Sequence, residues 1–562
     1  MAGSISVYEK SMTPKNKRPW LPIFFRGESL WSAWSVFLAL IVIMPLLAVV
    51  WIALTPSENI WPHLVATTLP RYLANTLIMM LSVGLLSAVI GTVAAWLVTM
   101  YEFPLRRVLQ WALFLPLAVP AYVGAFALVD FLEYAGPVQQ GLRAVFGWSS
   151  AQDYWFPEIR SRGAAIIVLT ASLFPYVYLL ARAAFREVSG ASFEVARTLG
   201  ASPLQRFVKV GLPLARPAIA AGAAICMMET VNDFGTVDFY AVQTLTTGIF
   251  TVWLEQNNAG GAAQIAIVVL TLILVLVGLE RSGRSKARTF RQSRMDRPVE
   301  RTLMLGRRRW MATLFCLVPF LVGFVLPIAV LVSISSASPE AWSDPRLLKA
   351  TWNTVRIGAI ASLVTVGGAV MLVYGVRLGR GRLGRRLLPV TSIGYAAPGA
   401  VLGIGVLIPL GVLDHQLADG ILAVTGSDPG LLLTGTGFAL VYAYMVRFFT
   451  IGQGAADAAM ARVAPSLPMA ARSLGRSARG TLSAVYLPMI KGSIGTALLL
   501  VFVDCVKELP ATLLLRPFNF DTLATRVYEK ASLENLTDAT PPALLISLVG
   551  LAAVALLAKS NR

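Results

Sequence analysis

Apolar runs of about twenty residues recur along the whole chain, separated by short polar segments. A helix of that length crosses a hydrocarbon core of ~30 Å. The pattern predicts twelve membrane-spanning helices, in two sets of six. The first set falls near 32–54, 73–99, 109–132, 164–185, 214–236 and 263–280, and the second near 311–335, 353–376, 388–413, 433–452, 492–515 and 542–558. Composition agrees: of 562 residues, 56% are hydrophobic and 14% charged. A soluble domain has too little interior to hide that much apolar surface, and a bilayer hides it directly. The predicted fold class is an all-α polytopic membrane protein, with the lipid bilayer as its first partner.

A formal net charge of +19 would suggest nucleic acid in a soluble chain, but here the distribution outweighs the sum. Eleven Lys and Arg residues lie between Arg281 and Arg309. The loops 100–108, 186–213, 281–310, 377–387 and 453–491, with the two tails, hold most of the 48 basic residues, while the opposite loops are mildly acidic. By the positive-inside rule both termini are expected in the cytoplasm, and no nucleic acid is expected as a partner. A specific anionic-lipid or partner site is the alternative reading of the basic stretch. The polar N-terminus has no clear small-residue cleavage site before the first span and is read as a retained anchor.

The two sets of six repeat one another. Asn75-Thr76 opens the second span, and Asn353-Thr354 opens the eighth, 278 positions later; Pro120 and Pro398 match at the same offset. Ala196-Arg197, Leu199-Gly200 and Leu212-Pro213 recur as Ala471-Arg472, Leu474-Gly475 and Leu487-Pro488, 275 apart. Near-constant offsets indicate a tandem duplication. Units with an even number of spans insert in one orientation, related by an axis along the membrane normal. The predicted organisation is a cytoplasmic tail over 1–29, a first unit over 30–280, a basic cytoplasmic linker over 281–310 and a second unit over 311–562.

The repeated polar segment, EVARTLGASPLQRFVKVGLP in the first unit, lies between the fourth and fifth spans. Phe193 to Leu199 is a good helix former, Gly200 is placed to end that helix, and Ser202-Pro203 restarts the chain. The segment resembles the "EAA" coupling loop of binding-protein-dependent ABC import permeases, whose helix docks into a cleft on a cytoplasmic ATPase. Across nearly the whole chain the fused double unit resembles the iron(III) permease branch. The stretches LPLAVPAYVGAF (115–126), FLEYAGPVQQGLR (131–143), METVNDFGTVDFYAVQTLTTGIF (228–250) and VKELPATLLLRPFNFDTLATRVYE (506–529) carry that likeness. The resemblance implies two type I ABC importer permease units in a bacterial inner membrane. Its ATPase-coupling residues would be Glu194, Ala196, Arg197, Gly200, Leu212 and Pro213, then Ala471, Arg472, Gly475, Leu487 and Pro488. The second copy reads MAARSLG, so Met469 stands where Glu194 does, and a carboxylate contact there belongs to the first loop alone.

No GxxxxGK[ST] loop is present, so ATP with its Mg is expected on a partner. The resemblance implies two copies of a cytoplasmic ATPase subunit and a periplasmic substrate-binding protein. This chain itself is expected to bind no cofactor and not to be the enzyme. Candidate docking segments for the binding protein are 237–262 and 516–541, in which Gln243-Thr244-Leu245 resembles Asp521-Thr522-Leu523; an outer gate or simple loop packing is the alternative.

Ionisable residues inside spans are costly and become functional candidates. Glu229 and Asp233 lie four apart on the fifth predicted span, with Asp504 and Glu508 at the same places in the eleventh. Carboxylate oxygens suit a hard, highly charged cation. Three readings stand: a cargo path, an ion-pair network involving Lys507, or caps on broken helix ends near Gly235 and Pro510. Cys226, Cys316 and Cys505 show no CxxC spacing, and His63 and His415 are expected alone in outer loops, so no metal centre can be built around them. An ATP-driven importer is the leading function and ferric iron the leading cargo. Thiamine, a polyamine or a phosphonate are alternative cargoes, and a proton-coupled secondary transporter is the alternative class.

Overall fold

The computed structural model describes residues 29–56, 58–187, 190–285, 301–378, 382–392, 394 and 397–560. The tail expected over 1–29, apart from Ser29, and residues 286–300 of the expected linker lie outside the described residues. Among the described residues ten helices are long and apolar enough to span a membrane, or eleven with one bent pair counted as a span. We number the elements used below in chain order: α1 (Leu30–Leu54), α2 (Leu69–Met100), α3 (Arg106–Ala118), α4 (Ala121–Phe146), α5 (Arg162–Glu187), α6 (Gly190–Thr198), α7 (Pro203–Asn232), α8 (Ala259–Glu280), α9 (Arg307–Ala337), α10 (Pro345–Leu378), α11 (Arg382–Thr391), α12 (Gly399–Thr425), α13 (Phe438–Ala461), α14 (Ser466–Ser473), α15 (Ala478–Lys507) and α16 (Leu536–Leu556).

The tenth expected span, near 433–452, corresponds to α13, a 24-residue helix shifted toward its C-terminal side. It buries Arg447 and Gln453 along with its apolar residues, which is why it falls short of the other spans in apolarity. His415 is not in a loop as expected: α12 continues to Thr425, and the ring Nδ1 lies 2.7 Å from Gly411 O one turn back.

Four expected spans are broken rather than continuous. The third bends by 96° between α3 and α4. Val119 there is extended, and Pro120 stands at the N-cap of the following helix. Proline has no N–H and pushes the residue before it out of the helical region, so a Val-Pro step stops one helix and starts another. Its repeat partner Pro398 occupies the same N-cap position at the start of α12, and the ninth expected span is divided into α11 and α12. The fifth ends at Asn232 and the eleventh at Lys507; Asp233 and Glu508 are extended, and short helices Gly235–Phe239 and Pro510–Leu515 follow.

Each unit is built round the same trio. The second, fourth and fifth helices pack together as α2, α5 and α7 in the first unit and as α10, α13 and α15 in the second. The first helix of each unit departs from its own trio. α1 lies on α10 and α12, and α9 lies on α16 and on α4 and α5 of the first unit. The two sequence units are therefore threaded through each other. Small residues permit the crossings, as is usual where helices meet in a membrane. A Cβ on Gly405 would collide with the Pro45 carbonyl of α1, and one on Gly323 of α9 with the Ala171 carbonyl of α5. A valine at Gly405 should therefore cost about 1–3 kcal/mol. Alanine at Gly367, where a Cβ meets nothing within 4 Å, should be neutral. Melting of the two purified variants in detergent separates them, and equal stability would exclude a tight crossing.

Candidate functional site

Three of the four helix breaks converge on one cavity of ≈ 190 Å³ between the two units. Val119 and Pro120 reach it from the first unit's α3–α4 break, Asp233 to Gly235 from the end of α7, and Glu508 to Pro510 from the end of α15. All four acids singled out in the sequence line it, so residues 275 apart do meet across the unit boundary.

The four carboxylates divide into two kinds. Asp233 Oδ1 accepts the backbone N–H groups of Thr236 (3.0 Å) and Val237 (3.1 Å), and Oδ2 accepts the Thr236 hydroxyl (3.0 Å). Glu508 Oε1 accepts the N–H of Ala511 at 3.0 Å, and its Oε2 pairs with Arg447 Nε at 3.0 Å. Both cap the first turn of the short helix after a break, satisfying amides that have no intrahelical partner. Glu229 and Asp504 are half-buried one turn earlier and accept no hydrogen bond from the described residues. Asp233 does not continue the helical face of Glu229, because the helix has ended by then.

The cations are placed differently from expectation. Lys507 donates to the Leu117 carbonyl at 2.6 Å, in the last turn of α3, rather than pairing with an adjacent acid. Its counterpart in the first unit is Asn232, whose Oδ1 is buried without a partner among the described residues. Arg447 supplies the ion pair instead, and its Nη1 is buried with no hydrogen-bond partner among the described residues. The Tyr122 hydroxyl, also on the cavity wall, is equally unpartnered. Arg447 was not among the candidates, although a lone Arg inside VYAYMVRFF is the kind of intramembrane charge that marks a site. The lining thus holds four carboxylates against two cations, and three of its residues, Tyr122, Asn232 and Arg447, each carry a buried polar atom with no partner among the described residues. Among the described residues no three His, Cys, Asp or Glu side chains are gathered closely enough to hold a metal ion.

The repeated loops match in backbone detail. α6 and α14 each end at a glycine in the left-handed region, Gly200 at φ +81° and Gly475 at φ +80°. A side chain is strained there, and glycine is not. The closing bonds are the same: Gly200 N to Arg197 O and Ala201 N to Ala196 O in one, Gly475 N to Arg472 O and Arg476 N to Ala471 O in the other, all 2.9–3.0 Å. Ser202 and Ser477 then cap the next turn. One turn of wider π-helix, 207–211 and 482–486, precedes Leu212-Pro213 and Leu487-Pro488. The seats of the loops differ. In the first unit Phe193 packs against Trp96, rings 5.6 Å apart; in the second, Tyr374, which is 278 positions on, donates its hydroxyl to Ala478 O at 2.6 Å. Glu194 and Arg197 are exposed, as are Val195 and Leu199. In the second loop Arg472, Met469 and Leu474 are exposed and Ala471 is buried.

At the other end of the bundle the Asn-Thr pairs explain why they repeat. Asn75 donates to Gln243 O (2.8 Å) and Thr76 Oγ1 accepts Leu245 N–H (3.0 Å); Asn353 donates to Asp521 O (3.0 Å) and Thr354 Oγ1 accepts Leu523 N–H (2.8 Å). Thr244 and Thr522 close reciprocal caps on the helices that follow. The segments around 243–245 and 521–523 are thus pinned to the second helix of their own unit.

A family profile described as "Binding-protein-dependent transport system inner membrane component" matches residues 87–282. Fe(3+)-transport system permease protein FbpB 2 of Haemophilus influenzae is 26% identical over 481 residues, covering 85% of this chain and 87% of its own length. The sulfate transport system permease protein CysT of Salmonella typhimurium is 28% identical, covering 43% of this chain but 86% of itself. A probable sulfate transport system permease protein cysT of Nephroselmis olivacea is 30% identical and covers 38% of this chain and 74% of itself. A relative of single-unit size thus fills less than half of this chain, whereas the iron-named relative runs along most of it. These relatives are transport permeases. Together with the doubled trio of spans and the paired loops, they establish that the chain is a multi-pass transport permease belonging to the family of binding-protein-dependent transport system inner membrane components.

Proposed function

We propose that this permease passes ferric iron from a periplasmic binding protein to the cytoplasm by alternating access, driven by a separate ATPase subunit bound in two copies beneath α6 and α14. The cavity between the units carries the cargo assignment: its four carboxylates outnumber its two cations, so it favours a hard cation and repels an oxyanion. The relative named for Fe(3+) transport spans most of the chain, and the sulfate-named relatives match about one unit. The scattered geometry of the acids supports passage rather than retention. Both termini and both loops face the cytoplasm in this reading, with the basic residues on that side. Closure of the ATPase dimer draws α6 and α14 together and opens the outer side; hydrolysis returns the cavity to the inside. This is a two-state element biased from a second site. Chemistry belongs to the ATPase, and this chain transmits it.

The exposed Val195, Leu199, Met469 and Leu474 provide apolar surface for those ATPase contacts, with Glu194 adding a charged one in the first unit alone. In the complex reconstituted with its ATPase and binding protein, labelled-iron uptake should require ATP and survive collapse of the proton gradient. Uptake that follows the proton gradient would replace this reading with a secondary transporter.

The two kinds of carboxylate should separate by variant. Glu229→Gln with Asp504→Asn should assemble normally yet lose ~tenfold or more of uptake, since each removes a charge that holds no structural bond. Glu508→Ala should instead destabilise the protein by about 3–5 kcal/mol, because it leaves Arg447 buried and uncompensated. Normal uptake by the double variant, measured beside its melting temperature, would remove Glu229 and Asp504 from the path. Reversal of charge by Glu194→Lys should uncouple ATP hydrolysis from uptake more than Met469→Glu does; equal effects would rule out an asymmetric pair of loops.

A further inference from the structure

A second cavity, of ≈ 180 Å³, lies at the end of the bundle that carries α6, lined by Arg106, Arg182, Arg186 and Arg301 with Gln110 and Trp111. The arginines come from distant parts of the chain. Arg106 opens α3, Arg182 and Arg186 lie on the last turns of α5, and Arg301 adjoins the strand Thr302–Leu303. That strand pairs in parallel with Tyr101–Glu102, which follows α2, and so brings the end of the linker against the first unit.

Compensation of Arg106, Arg182 and Arg301 is uneven. Glu102 serves two of the guanidiniums, Arg106 at 2.8 Å and Arg301 at 3.4 Å, and Arg106 also donates to Val98 O at 3.2 Å. Arg182, only 8% exposed, makes one long bond of 3.4 Å to Gln110 O. It lies against the rings of Trp111 and Phe114, 4.8 and 5.5 Å from their centroids, and has no carboxylate partner among the described residues. Glu102 is thus shared by Arg106 and Arg301, and Arg182 stands beside them with no carboxylate of its own among the described residues. Gathering like charges in a half-buried space is unfavourable unless an anion enters it. The planar, multi-donor guanidinium matches the oxygens of a phosphate.

We propose that this cavity binds a phosphate group, held by Arg182 and Arg301 from opposite elements with Arg106 behind them. The ligand is either the phosphate of an anionic lipid headgroup or a free phosphate compound; both present the same oxyanion to these arginines. Its position gives it a consequence. Arg182 and Arg186 flank Phe185, whose ring lies 5.3 Å from that of Trp96, the seat of the first loop. An anion bridging Arg182 to Arg301 would lash the end of the linker to α5, the helix whose Phe185 packs against that seat. The assignment rests on these side chains alone and is independent of the cargo.

The test uses the full-length chain, purified in detergent at matched ionic strength. Its melting temperature is followed against inorganic phosphate, against phosphatidylglycerol in mixed micelles and against phosphatidylcholine as the zwitterionic control. Stabilisation by inorganic phosphate identifies a soluble phosphate compound; stabilisation by phosphatidylglycerol alone identifies a lipid headgroup. In either case Arg182→Gln and Arg301→Gln should each weaken the apparent affinity ~tenfold or more. Arg301 is 46% exposed, so its variant keeps the fold testable even if Arg182→Gln assembles poorly. No stabilisation by either probe, or a shift that persists undiminished in Arg301→Gln, overturns the proposal.

Discussion

A backbone amide or carbonyl inside a membrane must find a partner within the protein, since the surrounding lipid has none to offer. The four broken spans among the described residues meet that demand with a charged side chain or a proline. Asp233 and Glu508 receive the freed amides after α7 and α15, Lys507 donates to a carbonyl at the end of α3, and Pro120 and Pro398 present no N–H. The central cavity exists because helices stop there, and they can stop there because these residues satisfy what the stops expose. Glu508 then requires Arg447, and Arg447 lies close against Gly399, where a Cβ would meet both charged groups. The charged lining is in large part the cost of breaking helices in lipid. Glu229 and Asp504 stand outside that scheme, which is what makes them informative about transport.

Duplication has preserved the backbone more faithfully than the side chains. Left-handed glycines, serine caps, π-turns and Asn-Thr pins agree between the units to within a few tenths of an ångström in their hydrogen bonds. The pairs Glu194 and Met469, Asn232 and Lys507, and Trp96 and Tyr374 do not agree. Geometry needed twice has been kept twice, while contacts needed once have diverged. The cavity consequently has its cations on the second unit and its orphaned amide oxygen on the first.

Much of this was legible in the sequence, for reasons that can be stated residue by residue. Span positions follow from hydropathy, and the loop helices from a glycine and a Ser-Pro step at fixed spacing. The meeting of Glu229 with Asp504 follows from repeat offset and parallel insertion. The bend at Val119-Pro120 was harder, because LPLAVPAYVGAF is apolar throughout and length alone reads it as one span. Arg447 escaped notice because its partner is some sixty residues away, and nothing local announces a buried ion pair of that kind. The continuation of α12 past His415 was hidden by the polar residues of its C-terminal turns. Least legible was the threading of α1 and α9, since an apolar helix carries no address for the neighbour it will cover. Only glycines such as Gly405 and Gly323 hint at where one backbone passes close to another.

That threading bears on how the protein is made. As the chain is inserted from its N-terminus, α1 enters the bilayer long before α10 and α12, the helices it will cover, have been synthesised. Until then its inward face must rest in lipid or on a provisional neighbour, and the first unit awaits α9 in the same way. Neither half is complete when it is first built; each is finished by a helix that belongs to the other. Separate half-chains would have to find each other across the membrane before this exchange could begin. Joining them in one polypeptide turns that search into an intramolecular step at high effective concentration.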